Sequence, residues 1–296
     1  MVCGYNSRMS RFVSLRLALA LGMAGALSVG YFRLGAQQTQ QAPPQLTIER
    51  VKEDLFNIVG DGGNVGVLLT KDGVILIDDK FLRDSDEIIN KVKSVTSLPV
   101  RYILNTHHHG DHTGGNERFL AQAEIVAHQN ARSNIVAQNQ PGAQRITFSD
   151  ETAVFLGGKE VRMKHFGRGH TNGDAIVYFP ALKTIHTGDL FTRGAPFIDY
   201  KGGGSAKAWT TTLEAAMAWD FDTVIPGHGA VGTRADLQQH IKNITTMRDR
   251  MAELIKKGVS REQAGDQLKI DDFGWTASAL YKGAMPSLYD EMAGKN

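Results

Sequence analysis

Four histidines and one aspartate fall within six consecutive positions, His107-His108-His109-Gly110-Asp111-His112, and this run constrains the fold more than any other stretch. It begins directly behind Arg101–Thr106, whose apolar Ile103 and Leu104 predict a strand. Successive side chains alternate in an extended segment, so His107 and His109 share one side and His108 faces the other. Asp111 and His112 come just after, where a turn and a new helix can fold them back toward the same point. A lone histidine is usually a surface or core residue, but packing gives no reason for four together with a carboxylate among them. Imidazoles and carboxylates at this spacing can hold two divalent ions, with no cysteine needed. His108 reads instead as a structural or supporting residue.

The surrounding pattern predicts a layered domain. Leu55–Val59, Val65–Leu69 and Val74–Asp78 are strand-like runs separated by Gly60-Asp61-Gly62-Gly63 and Lys71-Asp72-Gly73, which are turn signals. Asp84–Val95 has the helical spacing Ile88, Ile89, Val92, Val95, with Asp84 or Ser85 as its cap. Further strands are expected at Glu124–Ala127, Ala153–Leu156, Val161–His165, Ile176–Phe179, Thr184–His186 and Thr223–Ile225. Ala206–Trp219 predicts a helix with Trp209, Leu213, Ala216 and Met217 inward. A long helix is expected over Ala235–Lys256, with shorter ones at 260–268 and near 286–293. The strands come in two batches, each followed by helices. This pattern gives one α/β (α+β) domain with two sheets inside and helices outside. With 42% apolar and 22% charged residues the chain is globular, not disordered, and a net charge of +2 gives no reason to expect a nucleic-acid partner.

Three more pieces follow in order: Gly169-His170-Thr171, Thr187-Gly188-Asp189 and Pro226-Gly227-His228-Gly229. Each places a donor on a glycine-flanked loop behind a predicted strand, braced by a sheet. Together with His107-x-His109-x-Asp111-His112, they resemble the signature of the metallo-β-lactamase superfamily over residues 46 to 240. The resemblance implies a four-layer αββα sandwich with the metals at one edge of the two sheets. It implies that His107, His109 and His170 are ligands of a first zinc, and that Asp111, His112 and His228 are ligands of a second. Asp189 resembles the carboxylate that bridges both. The implied cofactor is two Zn2+, with iron or manganese as the alternative because an all-N/O site does not select strongly for zinc.

Two departures bear on the substrate. The classical β-lactamases of this superfamily carry cysteine or serine where Asp189 stands, whereas a bridging aspartate is typical of the glyoxalase II, lactonase and ribonuclease-like branches. Thr192 replaces the lysine that in many such lactamases meets the substrate carboxylate. Arg193, Lys201 and Lys207 are candidates for that charge. Phe197 and Tyr200 belong to the loop Phe191–Tyr200, read as a pocket wall ahead of Gly202-Gly203-Gly204.

Two ions roughly 3.5–4 Å apart would share a water or hydroxide and lower its pKa toward neutrality. Asp111 would orient that hydroxide for attack on a carbonyl carbon. No G-x-S-x-G motif offers a serine alternative. The expected function is a dinuclear zinc hydrolase acting on a small molecule, a cyclic amide or ester such as a β-lactam or lactone. The alternatives are a glyoxalase II-like thioester hydrolase, a phosphodiesterase or sulfatase, and a metal-binding protein without catalysis. The complete set of seven candidate ligands argues against the last. The sequence fixes no oligomeric state.

The N-terminus reads as an export signal over residues 1–36. Arg11 and Arg16 precede the apolar stretch Leu17–Phe32, then Leu34-Gly35-Ala36 and a Gln-rich run. A membrane anchor is the alternative, but the stretch is marginal against the about 20 apolar residues a bilayer span requires. Met9 would serve equally well as the start. A cut after Ala36 removes Cys3, the only cysteine, which suits an oxidising compartment. The expected organisation is a flexible leader at 37–45 and a hydrolase domain at 46–296 with a helical C-terminal extension. A periplasmic or secreted location, without membrane insertion after cleavage, follows.

Overall fold

Period-two alternation within the strands decides the layers. The computed structural model describes residues 45–295; the expected signal with Cys3 and Met9, and the leader up to residue 44, lie outside the described residues. Strands β1 (Thr47–Lys52), β2 (Leu55–Val59), β3 (Val65–Leu69) and β4 (Val74–Ile77) form an antiparallel meander. Helix α1 (Ser85–Lys93) then crosses to β5 (Val100–Asn105), which pairs with β4 in parallel. Short helices α2 (Gly110–Thr113) and α3 (Asn116–Phe119) precede β6 (Glu124–His128), and α4 (Gln129–Ala137) precedes β7 (Ile146–Phe148). These seven strands make one sheet, in sequence order.

The second sheet runs β8 (Glu151–Leu156), β9 (Lys159–Lys164), β10 (Ile176–Phe179), β11 (Thr184–His186), β12 (Thr223–Ile225) and β13 (Gly232–Thr233). Helix α5 (Ala206–Ala216) connects β11 to its parallel neighbour β12. The C-terminal part is helical: α6 (Arg234–Lys256), α7 (Arg261–Gln267) and α8 (Ala279–Met292). Among the described residues no helix is long and apolar enough to cross a membrane.

Alternate side chains serve alternate layers. Phe56, Val67, Leu76 and Ile103 face Ile88 and Val92 of α1 and Phe119 of α3. Their neighbours Leu55, Leu68, Ile75, Ile77 and Leu104 face Val161, Met163, Val177, Phe179 and Ile225 of the second sheet. The outer face of that sheet, with Ile176, Tyr178, Ile185 and Val224, packs on Trp209, Leu213, Leu237, Ile244 and Leu288 from the helices. The result is the expected four-layer αββα sandwich. Its parallel pairs set the position of the site. Ile77 lies opposite Leu104 and His186 opposite Ile225, so β4, β5, β11 and β12 all leave their sheets at one edge.

Several elements differ from the sequence expectation. Strand β1 and the three-residue β7 are largely exposed edge strands without an apolar run. Helix α4 buries only Ala131 and Ile135, too few to print a periodic stripe. Asp84 stands at the start of α1, but its side chain makes no capping hydrogen bond. Helix α8 begins at Ala279 behind a Ser278 cap, well before residue 286, and Pro286 lies inside it. Proline commonly opens a helix, so its interior position hides the true start.

Candidate metal centre

Loops at the shared sheet edge bring the separated donors together. His107, His109 and His170 form one group of converging donor atoms. His109 Nδ1 lies 3.2 Å from His107 Nε2 and 2.8 Å from His170 Nε2. Asp111, His112 and His228 form another, and His107, His112 and Asp189 make a third that links them. His228 Nε2 is 3.2 Å from Asp111 Oδ2 and 3.4 Å from His112 Nε2. Asp189 lies between the groups: its Oδ1 is 3.1 Å from His112 Nε2 and 3.4 Å from His228 Nε2, while its Oδ2 is 3.7 Å from His170 Nε2.

The outward nitrogens fix which inner atoms are bare. His112 Nδ1–H donates to Asp78 Oδ2 at 2.8 Å, and His170 Nδ1–H donates to the Phe197 carbonyl at 2.7 Å. His109 Nε2–H donates to Asp199 Oδ2 at 3.0 Å. Thr106 Oγ1 donates to Asp78 Oδ2 at 2.8 Å and so accepts from His107 Nδ1 at 3.0 Å. Carboxylates and carbonyls only accept, so the outer nitrogens carry protons; the lone pairs of His107, His109 and His170 face inward, and the inner nitrogen of His112 joins them once its proton leaves. The buried Asp189 Oδ1 has no hydrogen bond of acceptable geometry. Facing lone pairs and an orphaned buried carboxylate oxygen are unfavourable among themselves and are satisfied by divalent cations. The donor set fits two such ions, as imidazole and carboxylate suit zinc, iron or manganese.

The titrating groups carry the same imprint. Burial, with the His112, His170 and His109 imidazoles next, holds His107 well below the ordinary histidine range. Burial pushes His170 down to about 4. Burial also opposes charge on His112, but Asp189, Asp111 and Asp78 outweigh it and hold that ring well above the usual value. His228 is raised to about 9 in the same way, burial being overcome by Asp189 and Asp111. Against burial, His112 and His228 hold Asp111 down to about 2. In the bare protein, protons thus take the place that cations would occupy, and metal binding must release them.

Close backbone approach makes the cluster possible. A Cβ on Gly227 would lie 1.9 Å from Asp189 Oδ1, and one on Gly63 would lie 2.2 Å from the His112 ring. His170 is held by the buried Asp174, which accepts from Gly169 N at 3.1 Å, Thr171 N at 2.9 Å and Thr171 Oγ1 at 2.6 Å. Burial pushes Asp174 up to about 7. His108 stands behind His109, with which it forms a further donor group together with Asp199: its Nε2 is 3.0 Å from Gln138 Nε2 and 3.5 Å from Asp199 Oδ2, and burial holds it at about 3.

The centre opens onto a cavity of about 560 Å³ lined by Phe81, Asp111, Thr192, Phe197, His228 and Leu280 among others. Phe197 is therefore in the wall, as the loop reading expected, but Arg193 and Tyr200 are not. Arg193 turns away to the Ala230 and Val231 carbonyls and the Asp236 carboxylate. The Tyr200 hydroxyl donates to Glu291 at 2.7 Å, and Lys207 Nζ donates to the Glu291 carbonyl. Among the described residues no lysine or arginine lines this cavity. Sequence reasoning missed Asp78 and Asp199, the carboxylates behind the ligands. Asp78 had a signal, because an acid ending a wholly apolar strand needs a buried partner. It also missed Thr276, Ser278 and Leu280, which reach the cavity from the C-terminal segment.

Comparison with known proteins agrees with this geometry. Residues 58–228 match the family model described as Metallo-beta-lactamase superfamily. The chain is 27% identical over 212 residues to a metallo-beta-lactamase type 2 of Elizabethkingia meningoseptica, covering 67% of this chain and 79% of that protein. It is 25% identical over 191 residues to the 2,4-dinitroanisole O-demethylase subunit alpha of Nocardioides sp. (strain JS1661), covering 62% of this chain and 58% of that protein. The fold matches the solved metallo-beta-lactamase from Pontibacter korlensis with a TM-score of 0.62 at 23% identity, over 68% of this chain and 99% of that one.

Proposed function

This chain belongs to the metallo-beta-lactamase superfamily, and we propose that it is a dinuclear metal hydrolase that opens a neutral carbonyl substrate, a lactone or other ester ahead of a β-lactam. One observation carries the reading: seven donors converge, and five of them, His109, Asp111, His170, Asp189 and His228, line a cavity with largely apolar walls and, among the described residues, no lysine or arginine. When bound, two divalent ions supply Lewis acidity and a water activated at neutral pH. The chain's own residues do the rest. Asp111, a quarter exposed and facing the cavity, accepts a hydrogen bond from the attacking nucleophile and orients it. Asp189, more deeply buried, holds the spacing of the two donor groups. Phe81 and Phe197 exclude water and pack against the substrate's apolar surface.

The metallo-beta-lactamase names among the relatives support a β-lactam, whereas the missing cation and the aspartate at 189 support an ester. Zinc-loaded protein assayed with a chromogenic β-lactam and a lactone panel decides. We expect the higher kcat/KM on lactones; a β-lactam preference of more than about tenfold would reverse the ranking, and no turnover of either class would reject carbonyl chemistry. Export belongs to the same proposal. N-terminal sequencing of protein from its native host should find a start near Gly35–Thr39, and an intact Leu17–Phe32 in the membrane fraction would replace export with an anchor.

A further inference from the structure

We infer that the C-terminal helix α8 builds a second subsite, for an apolar chain attached to the reacting carbonyl. The inference rests on the hydrolase reading and deepens it. The family match ends at residue 228, yet Thr276, Ser278 and Leu280 form part of the metal cavity's wall. Leu280 leaves 60% of its surface in solvent, at a rim it shares with Phe81 and Phe197. A large aliphatic side chain exposed beside two aromatic rings is a surface that gains by being covered.

A second cleft of about 270 Å³ borders that rim. It shares Phe197 and Leu280 with the metal cavity and runs between the loop Phe197–Lys201 and the Ala279, Gly283 and Ala284 side of α8. Small residues keep it open, and a side chain added at Gly283 would meet nothing within 4 Å. The two shared walls name the occupant: a chain that leaves the group held at the metals past Phe197 and Leu280 enters this cleft. Asp199, Lys201 and Ser287 also line it, but Asp199 is engaged by His109 and Gly202 N, and the larger part of the wall, from Phe197, Ile198, Ala279, Leu280 and Ala284, favours an alkyl or acyl chain over a charged one.

The cleft has fixed walls because α8 is latched to the loop opposite. The Glu291 carboxylate, buried at the start of α5, accepts from Tyr200 Oη at 2.7 Å, Ser205 Oγ at 2.5 Å and Ala206 N at 3.0 Å. Three donors on one buried acid tie the helix to the segment that carries Phe197.

The test uses metal-loaded protein and 4-nitrophenyl esters from acetate to octanoate. In the parent, kcat/KM should rise about two- to fourfold per added methylene until the cleft is full. Gly283→Phe fills the cleft from an open helix position and should cut the octanoate-to-acetate ratio by about tenfold or more. Gly283→Ala should give an intermediate ratio. An unchanged ratio in the phenylalanine variant, or no rise in the parent, overturns the subsite. Calorimetric titration with octan-1-ol, which has no scissile bond, separates the two ideas. Binding to the parent that is lost in Gly283→Phe sustains the subsite even where no ester is cleaved, a result that would fell only the hydrolase reading. Equal binding to both, or to neither, overturns the subsite.

Discussion

Asp78→Asn is the sharpest probe of how the centre is held. The wild-type carboxylate is wholly buried and accepts three hydrogen bonds, from Thr106 N at 2.7 Å, Thr106 Oγ1 at 2.8 Å and His112 Nδ1 at 2.8 Å. Through Thr106 it also orients His107, so one acid stands behind ligands of both groups. Asparagine keeps the shape but replaces one acceptor oxygen with an NH2 group. Whichever way the amide turns, that NH2 faces a donor that has no other partner. An orphaned buried donor costs about 1–3 kcal/mol. With the NH2 at the Oδ2 position the His112 ring loses its fixed tautomer, and with it at Oδ1 the Thr106 amide that anchors the His107 loop is orphaned; loss of such a supporting partner typically weakens metal binding about 10–100-fold. The two figures agree, since about 1.4 kcal/mol corresponds to tenfold. Asp78→Ala would orphan all three donors at once, a cost comparable to a domain's whole stability of about 5–15 kcal/mol, which makes it a poor probe. Competition titration against a chelating indicator, with circular dichroism to confirm the fold, reads the effect. A folded Asp78→Asn protein that binds both metals within about threefold of the parent would refute the argument.

Asp189→Asn should weaken both metals together, because a single anionic oxygen donor lies between the two groups; two tightly held metals and full turnover in that variant would remove the bridging role. Gly227→Ala should reduce metal affinity at least about tenfold with secondary structure retained, since its methyl falls on Asp189 Oδ1, and near-parental binding would contradict this. The metal-free protein should respond to pH in two opposite windows. His228 is raised to about 9, above the about 6.5 of an unfolded histidine, so its stabilisation is full below that value and is lost as pH rises through about 9. Metal affinity rises over the same interval as the proton leaves. Because 39% of the His228 side chain is in solvent, the fall in Tm should be small, and its sign is the test. His170, pushed down to about 4, acts oppositely: stability should decline as pH drops from about 6.5 toward 4. Thermal melts of metal-stripped protein from pH 4 to 9.5 check both signs.

What the sequence by itself determined is the local part of the architecture and the identity of the donors. Runs such as Val65–Leu69 and Ile176–Phe179 read as strands because short β-branched and apolar segments bounded by turn signals suit burial on both faces, and both are buried strands here. The histidine run, and the glycines around His170, Asp189 and His228, were legible because metal ligation demands particular atoms on tightly turning backbone. Tertiary structure decided everything that depends on distant segments meeting. Asp78 and Asp199 look like ordinary acids until the fold sets them behind His112 and His109. Arg193 looks like a substrate contact until Asp236, far along the chain, draws it to the cap of α6. The cavity wall at Leu280 exists only because α8 packs back over the metal edge. Periodicity records which face of an element is buried, and the choice of partner for that face is made by the packing of the whole domain.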